Sequence, residues 1–332
     1  MLKDVKKFDY CASTTLFLGA IAVNLVCQAL ISFVAVALSS SHPDIATNGD
    51  FLTAFMMVIQ AANAVFVLLF CKINNTRFDC NLAKNSDRKI DYKDFVLPVI
   101  AAVVVLCAMY LPTLWYGYFT KYVLHISDSA GNINLTTTSS VVMIVIASVF
   151  MAPVCEEAIY RGVLANGLNK KYGAKKAVLL CALGFMLMHM SPVQVVFQFA
   201  LGALSAVIML KTKRLLPCVM LHASANAAAL AVQFEPLGGI VNGCVAWLVG
   251  SPVAALFITL ALLVAGGALL FVIVRFGYGK SEGNAPEGEI ELTPEKVAIA
   301  EARDRDGTMR YFIAIAICAV MFVINLVTMI VG

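Results

Sequence analysis

A chain of 332 residues with 61% hydrophobic and only 13% charged residues is not a water-soluble domain, which carries about 25% charged residues. The net charge of +4 does not point to nucleic acid, because the basic residues sit in short loops between apolar runs, the pattern that orients a chain in a bilayer. The ten cysteines are scattered singly, mostly in apolar runs and without a C-x-x-C pair, which argues against a disulfide framework or a zinc ribbon.

A helix needs about 20 apolar residues to cross the hydrocarbon core, and on that measure the sequence predicts an all-α polytopic membrane protein with nine spans. They run over Cys11–Leu38, Phe51–Cys71, Phe95–Tyr118, Ser139–Tyr160, Ala177–Met190, Pro192–Leu210, Leu215–Phe234, Trp247–Val274 and Tyr311–Val331. The first is too long for the apolar core of a secretory signal and reads as a retained anchor. The fifth is short, so Lys175 and Lys176 would have to snorkel to lengthen it. Ser191–Pro192 breaks one long apolar run into two and predicts a tight turn.

Loop charges alternate. Assigning the N-terminus and every second loop to the cytoplasm places 23 of the 24 Lys and Arg residues inside, with Lys121 alone outside. The expected orientation is N-terminus inside and C-terminus outside. The organisation that follows is a three-span N-terminal region (1–138), a four-span core (139–234), an eighth span (235–276), a cytoplasmic polar linker (277–310) and a ninth span (311–332). In the linker, Thr293-Pro294-Glu295 reads as an N-cap with a first-turn proline and acid, which predicts a short helix to about Arg305. No internal repeat suggests the paired halves of a secondary transporter.

A charge at mid-bilayer costs about 2.5–3.5 kcal/mol on insertion scales, so such residues call for a reason. The candidates are Glu156 and Glu157 in the fourth span, His189 in the fifth, and His222 with Asn226 in the seventh. Adjacent helical residues lie about 100° apart, so the two glutamates face different ways. Glu157 and Arg161 are four apart with the acid first, the favourable order for an ion pair. That leaves Glu156 as the spare carboxylate. His222 and Asn226 share a face, as do Phe185 and His189. A carboxylate beside an imidazole can hold and deprotonate water, while a second imidazole and an amide N–H can stabilise an oxyanion. Glu156, His189 and His222 are also an alternative zinc set.

Written out, these segments are E-E-x-x-x-R from Glu156, F-x-x-x-H from Phe185 and H-x-x-x-N from His222. In that order, each on its own apolar span, they resemble the motifs of the CAAX protease and bacteriocin-processing (CPBP) family of type II CAAX prenyl endopeptidases. The resemblance covers roughly Val149 to Gln233. It implies an intramembrane endopeptidase of the glutamic type, with a metal dependence left open, that cleaves membrane-embedded or lipidated proteins or peptides. By position, Glu156 would be the general base, helped by His189, with His222 and Asn226 as the oxyanion hole and Glu157 and Arg161 in support. No cofactor is expected, since an amide oxygen such as that of Asn226 is a poor zinc ligand. The expected setting is the lipid bilayer, the cell membrane if the source is bacterial. Two other readings fit the same residues: a non-catalytic membrane scaffold or bacteriocin self-immunity protein, and a proton-coupled transporter.

Overall fold

Backbone in hydrocarbon has no water to bond, so each apolar run must close its hydrogen bonds within itself as a helix. The computed structural model describes residues 6–78, 90, 92–123, 125, 135, 137–278 and 294–331, and among these the chain is helical apart from short turns and one two-residue pairing. The helices are α1 (Tyr10–Leu38), α2 (Gly49–Asn74), α3 (Val96–Tyr122), α4 (Thr138–Tyr172), α5 (Ala174–Met188), α6 (Val195–Thr212), α7 (Leu215–Ala231), α8 (Leu237–Val249), α9 (Pro252–Val272) and α10 (Pro294–Val331). Two-residue strands β1 (Lys6–Lys7) and β2 (Thr76–Arg77) pair in parallel. Side-chain oxygens start three of the helices: Asp9 accepts from the Ala12 N–H at 2.7 Å, Asn48 from Phe51 at 2.9 Å and Thr137 from Ser140 at 3.0 Å. Each satisfies a donor that has no partner within its helix.

Seven helices among the described residues are long and apolar enough to cross a membrane: Tyr10–Leu38, Gly49–Asn74, Tyr92–Tyr122, Thr138–Tyr172, Pro192–Thr212, Pro252–Gly277 and Val297–Ile330. This is a multi-pass membrane protein, and two of the nine expected spans fall on helices shorter than these seven. α5 has 15 residues and α7 has 17, or about 23 and 26 Å of helix at 1.5 Å per residue, against a core about 30 Å thick. Both carry site residues. The eighth span begins at Pro252 and not at Trp247, which belongs to the separate short apolar helix α8. The helix expected to stop near Arg305 instead continues without a break to Val331. The remainder of the linker, residues 279–293, lies outside the described residues.

Two apolar cores flank α4. One gathers Phe17 of α1, Tyr160 and Leu164 of α4, Phe185 of α5 and Cys318 of α10. The other gathers Ala101 of α3, Leu201 and Met209 of α6, Leu221 of α7 and Ile273. The outward faces stay apolar: Phe33, Val36, Ile73 and Val264 are each more than 70% exposed, which suits lipid and not water. Near one end of the bundle, Arg214 makes a buried 2.5 Å ion pair with Asp94. It ties the start of α7 to the turn before α3.

Candidate active site

α4 is not a uniform helix. The six-residue α-helical stretch Ala152–Glu157, which carries both glutamates, lies between two wider π-type stretches, Val145–Met151 and Ala158–Ala165. Pro153 accounts for the first. It has no N–H, and in an α-helix its ring would press on the carbonyl four residues back. A wider turn relieves that contact. In the wider pattern the N–H of residue 153 would go to the Ser148 carbonyl, and proline has none to give. Asn226 of α7 supplies the missing donor, its Nδ2 reaching the Ser148 oxygen at 2.7 Å. Asn226 therefore mends the backbone of α4 with one amide hydrogen and keeps a second.

Glu157 is fully buried and fully engaged. Its Oε1 accepts from Arg161 Nη1 at 3.0 Å and from His222 Nδ1 at 2.9 Å, and its Oε2 accepts from Ser205 Oγ at 2.7 Å. Arg161, also fully buried, donates through Nη2 to the Gly202 carbonyl at 3.1 Å and lies 4.3 Å from the centre of the Phe185 ring. Its Nε has no hydrogen-bond partner among the described residues, but a carboxylate, a carbonyl and an aromatic face compensate most of this buried guanidinium. Gly202 makes this possible. A Cβ there would lie 3.2 Å from both Ala182 Cα and Phe185 Cδ1, so glycine lets α5 and α6 approach closely.

Glu156 is the opposite case. Its Oε1 accepts one hydrogen bond, from Gln60 Nε2 of α2 at 3.1 Å, and its Oε2 is buried with no hydrogen-bond partner among the described residues. That oxygen lies 4.0 Å from His222 Nε2. With Nδ1–H fixed on Glu157, neutral His222 presents a lone pair at Nε2. His189 stands at the end of α5 and is oriented in the same way, Nδ1 donating to the Phe185 carbonyl at 2.8 Å. Glu156 and His222 both lie within electrostatic reach of it. The Phe185 ring meets His189 edge-on at 4.8 Å and His222 at 5.6 Å between centres.

Glu156, Glu157, Arg161, Phe185, His189 and His222 thus converge. On the helix face that they share, His222 bonds Glu157 and Asn226 bonds Ser148. Among the described residues no group of three or more His, Cys, Asp or Glu side chains is placed to hold a metal ion, the alternative zinc set of Glu156, His189 and His222 included.

Three contributors escaped the sequence analysis: Gln60, Gly202 and Ser205. Gln60 had a signal, being an amide at the middle of the apolar run Phe51–Cys71. Gly202 and Ser205 are small residues of the kind that line close helix contacts in membranes, but nothing tied them to Glu157.

The comparisons agree with the motifs. A protein of Mycoplasma capricolum subsp. capricolum described as uncharacterized is 23% identical over 168 residues, which cover 47% of this chain and 48% of the relative. The match therefore spans about half the length of that relative. No solved structure matches. The matched family model is described as type II CAAX prenyl endopeptidase Rce1-like and covers α4 to α7. Residues 138–228 belong to the Rce1-like type II CAAX prenyl endopeptidase family.

Proposed function

We propose that the protein is an intramembrane endopeptidase in which Glu156 activates water. The observation that carries this reading is the contrast within one dipeptide. Glu157 has a partner for each carboxylate oxygen, whereas Glu156 keeps a buried oxygen unpartnered and aimed toward an imidazole. A carboxylate so placed is a base with a vacant lone pair.

The chemistry follows from the donors present. Water gives a proton to Glu156 Oε2 as its oxygen adds to the scissile carbonyl carbon, with the lone pair on His189 Nε2 helping to hold the water. The second N–H of Asn226 meets the developing oxyanion. His222 does so when it carries a proton on each nitrogen, its positive charge balanced by Glu157. Glu156 then passes its proton to the leaving amine as the C–N bond breaks.

A site inside a helical bundle suits a membrane-embedded or lipidated protein or peptide as substrate, and the loop charges orient the N-terminus to the cytoplasm. An impermeant maleimide should then fail to label a single cysteine placed at Arg303 in intact cells; external labelling would reverse that orientation. The function is tested by incubating purified protein with its host's membrane proteome. New C-termini should appear with the wild type and not with Glu156→Gln. A second reading, a non-catalytic scaffold or immunity protein, is favoured by one observation: Glu157, Arg161 and Asn226 each already bond within the fold. An unchanged cellular phenotype in a Glu156→Gln strain would select it.

A further inference from the structure

The matched segment does not complete its own site. Among the described residues, the one hydrogen bond that Glu156 receives comes from Gln60 of α2, a helix outside residues 138–228. We infer that Gln60 is a positioning residue, holding Glu156 Oε1 so that Oε2 faces the reacting water; this rests on the protease reading above.

Several features of the contact fit that role. Only the amide NH₂ of Gln60 can donate to a carboxylate, so its orientation is fixed by chemistry. The Cys155 thiol donates to the Gln60 backbone carbonyl at 3.4 Å, which pins α2 against α4 at the same level. One turn along α2, Asn63 and Asn24 of α1 exchange hydrogen bonds at 3.3 and 3.4 Å, both residues buried. That pair fixes the rotation of α2 and with it the direction of Gln60. The Gln60 Oε1 and Glu156 Oε2 atoms are both buried without a partner among the described residues. Both are acceptors, so each calls for a donor such as a hydrogen of water. A glutamine confined to packing would leave its carbonyl toward a donor on a neighbouring helix.

The test separates the contact from its use. Dicyclohexylcarbodiimide reacts with protonated carboxyl groups in apolar surroundings, and mass spectrometry reads its addition at Glu156. Removing the N–H that stabilises the charged carboxylate should speed this labelling about tenfold in Gln60→Leu and in the closer isostere Gln60→Met, the order expected for one hydrogen bond to a charged group. Asn63→Leu, which loosens the seating of α2 but keeps the Gln60 amide, should speed it by less than either Gln60 variant. Equal rates in all four proteins would overturn the inference whether or not the protein is a protease. Activity is then read with a quenched fluorescent peptide carrying a farnesylated C-terminal CAAX sequence. Loss of alignment at the base should lower kcat about 10²-fold with KM within twofold of wild type. A normal kcat in a Gln60 variant with accelerated labelling would also overturn the role. Accelerated labelling in a protein whose wild type cuts neither this peptide nor any membrane protein would remove the protease reading and leave the Gln60–Glu156 contact standing.

Discussion

Residues 138–228 and the helices around them stabilise the same site by different means. The family segment supplies every charged or titratable member: Glu156, Glu157, Arg161, His189 and His222. The surrounding helices supply uncharged amides, namely Gln60 on Glu156, the Asn24–Asn63 pair, and Asn325 of α10, whose Nδ2 donates to the Met190 carbonyl at 2.7 Å. Met190 follows His189 and has a positive φ of 50°, an unusual conformation for a residue with a side chain. The last helix thus steadies the turn that holds His189. A buried charge requires compensation, whereas amides can orient a neighbour at a smaller desolvation cost.

The largest expected effect lies in the charged segment. Glu157→Gln leaves the buried Arg161 without its counter-charge and should cost about 3–5 kcal/mol, read as a large fall in the unfolding temperature of the detergent-solubilised protein. Replacing Glu157 and Arg161 together by methionine should recover part of that loss, because no uncompensated charge remains. A Glu157→Gln protein as stable as wild type would show that the pair is not what holds α4 to α6 and α7.

A smaller effect belongs to Asn226. Its removal as Asn226→Ala leaves the Ser148 carbonyl without a donor and should cost about 1–3 kcal/mol. Pro153→Ala supplies a backbone N–H five residues on, so the double variant should regain stability. Its turnover should stay low if Asn226 also serves the oxyanion. Regained activity would make Asn226 purely structural, and no regained stability would refute the backbone role.

The smallest effect belongs to the flanking amides. Asn325→Leu should cost about 1 kcal/mol and reduce turnover a few-fold through a looser His189, with KM little changed. Unaltered turnover would mean that the α5 turn holds itself.

The difference between the two regions also sets how much the sequence disclosed. Glu156, Glu157 and the histidines stood out because charge in an apolar run is expensive, and the four-residue spacing of Glu157 and Arg161 matches the observed ion pair. Gln60, Asn63 and Asn24 carry no charge, and amides in membrane helices commonly bond whatever neighbour is near. Their partners become visible only when α1 and α2 are placed beside α4. Span counting succeeded for the seven long helices. At the fifth and seventh spans the helices α5 and α7 are shorter than the runs read there, ending at Met188 and Ala231. Hydropathy does not mark where a helix ends inside an apolar run. The split between α8 and α9 was written at Ser251–Pro252, a helix start, inside a run whose apolar character continues on both sides.

The division of labour between adjacent glutamates is the centre of the account, and the most direct measurement compares Glu156→Gln with Glu157→Gln for both turnover and unfolding temperature. The account predicts that Glu156→Gln unfolds as wild type does but loses about 10²–10⁴-fold in turnover, whereas Glu157→Gln unfolds at a markedly lower temperature and retains measurable turnover while folded. A fully active Glu156→Gln enzyme would contradict the mechanism, and equal losses of activity with equal stability in the two variants would contradict the division.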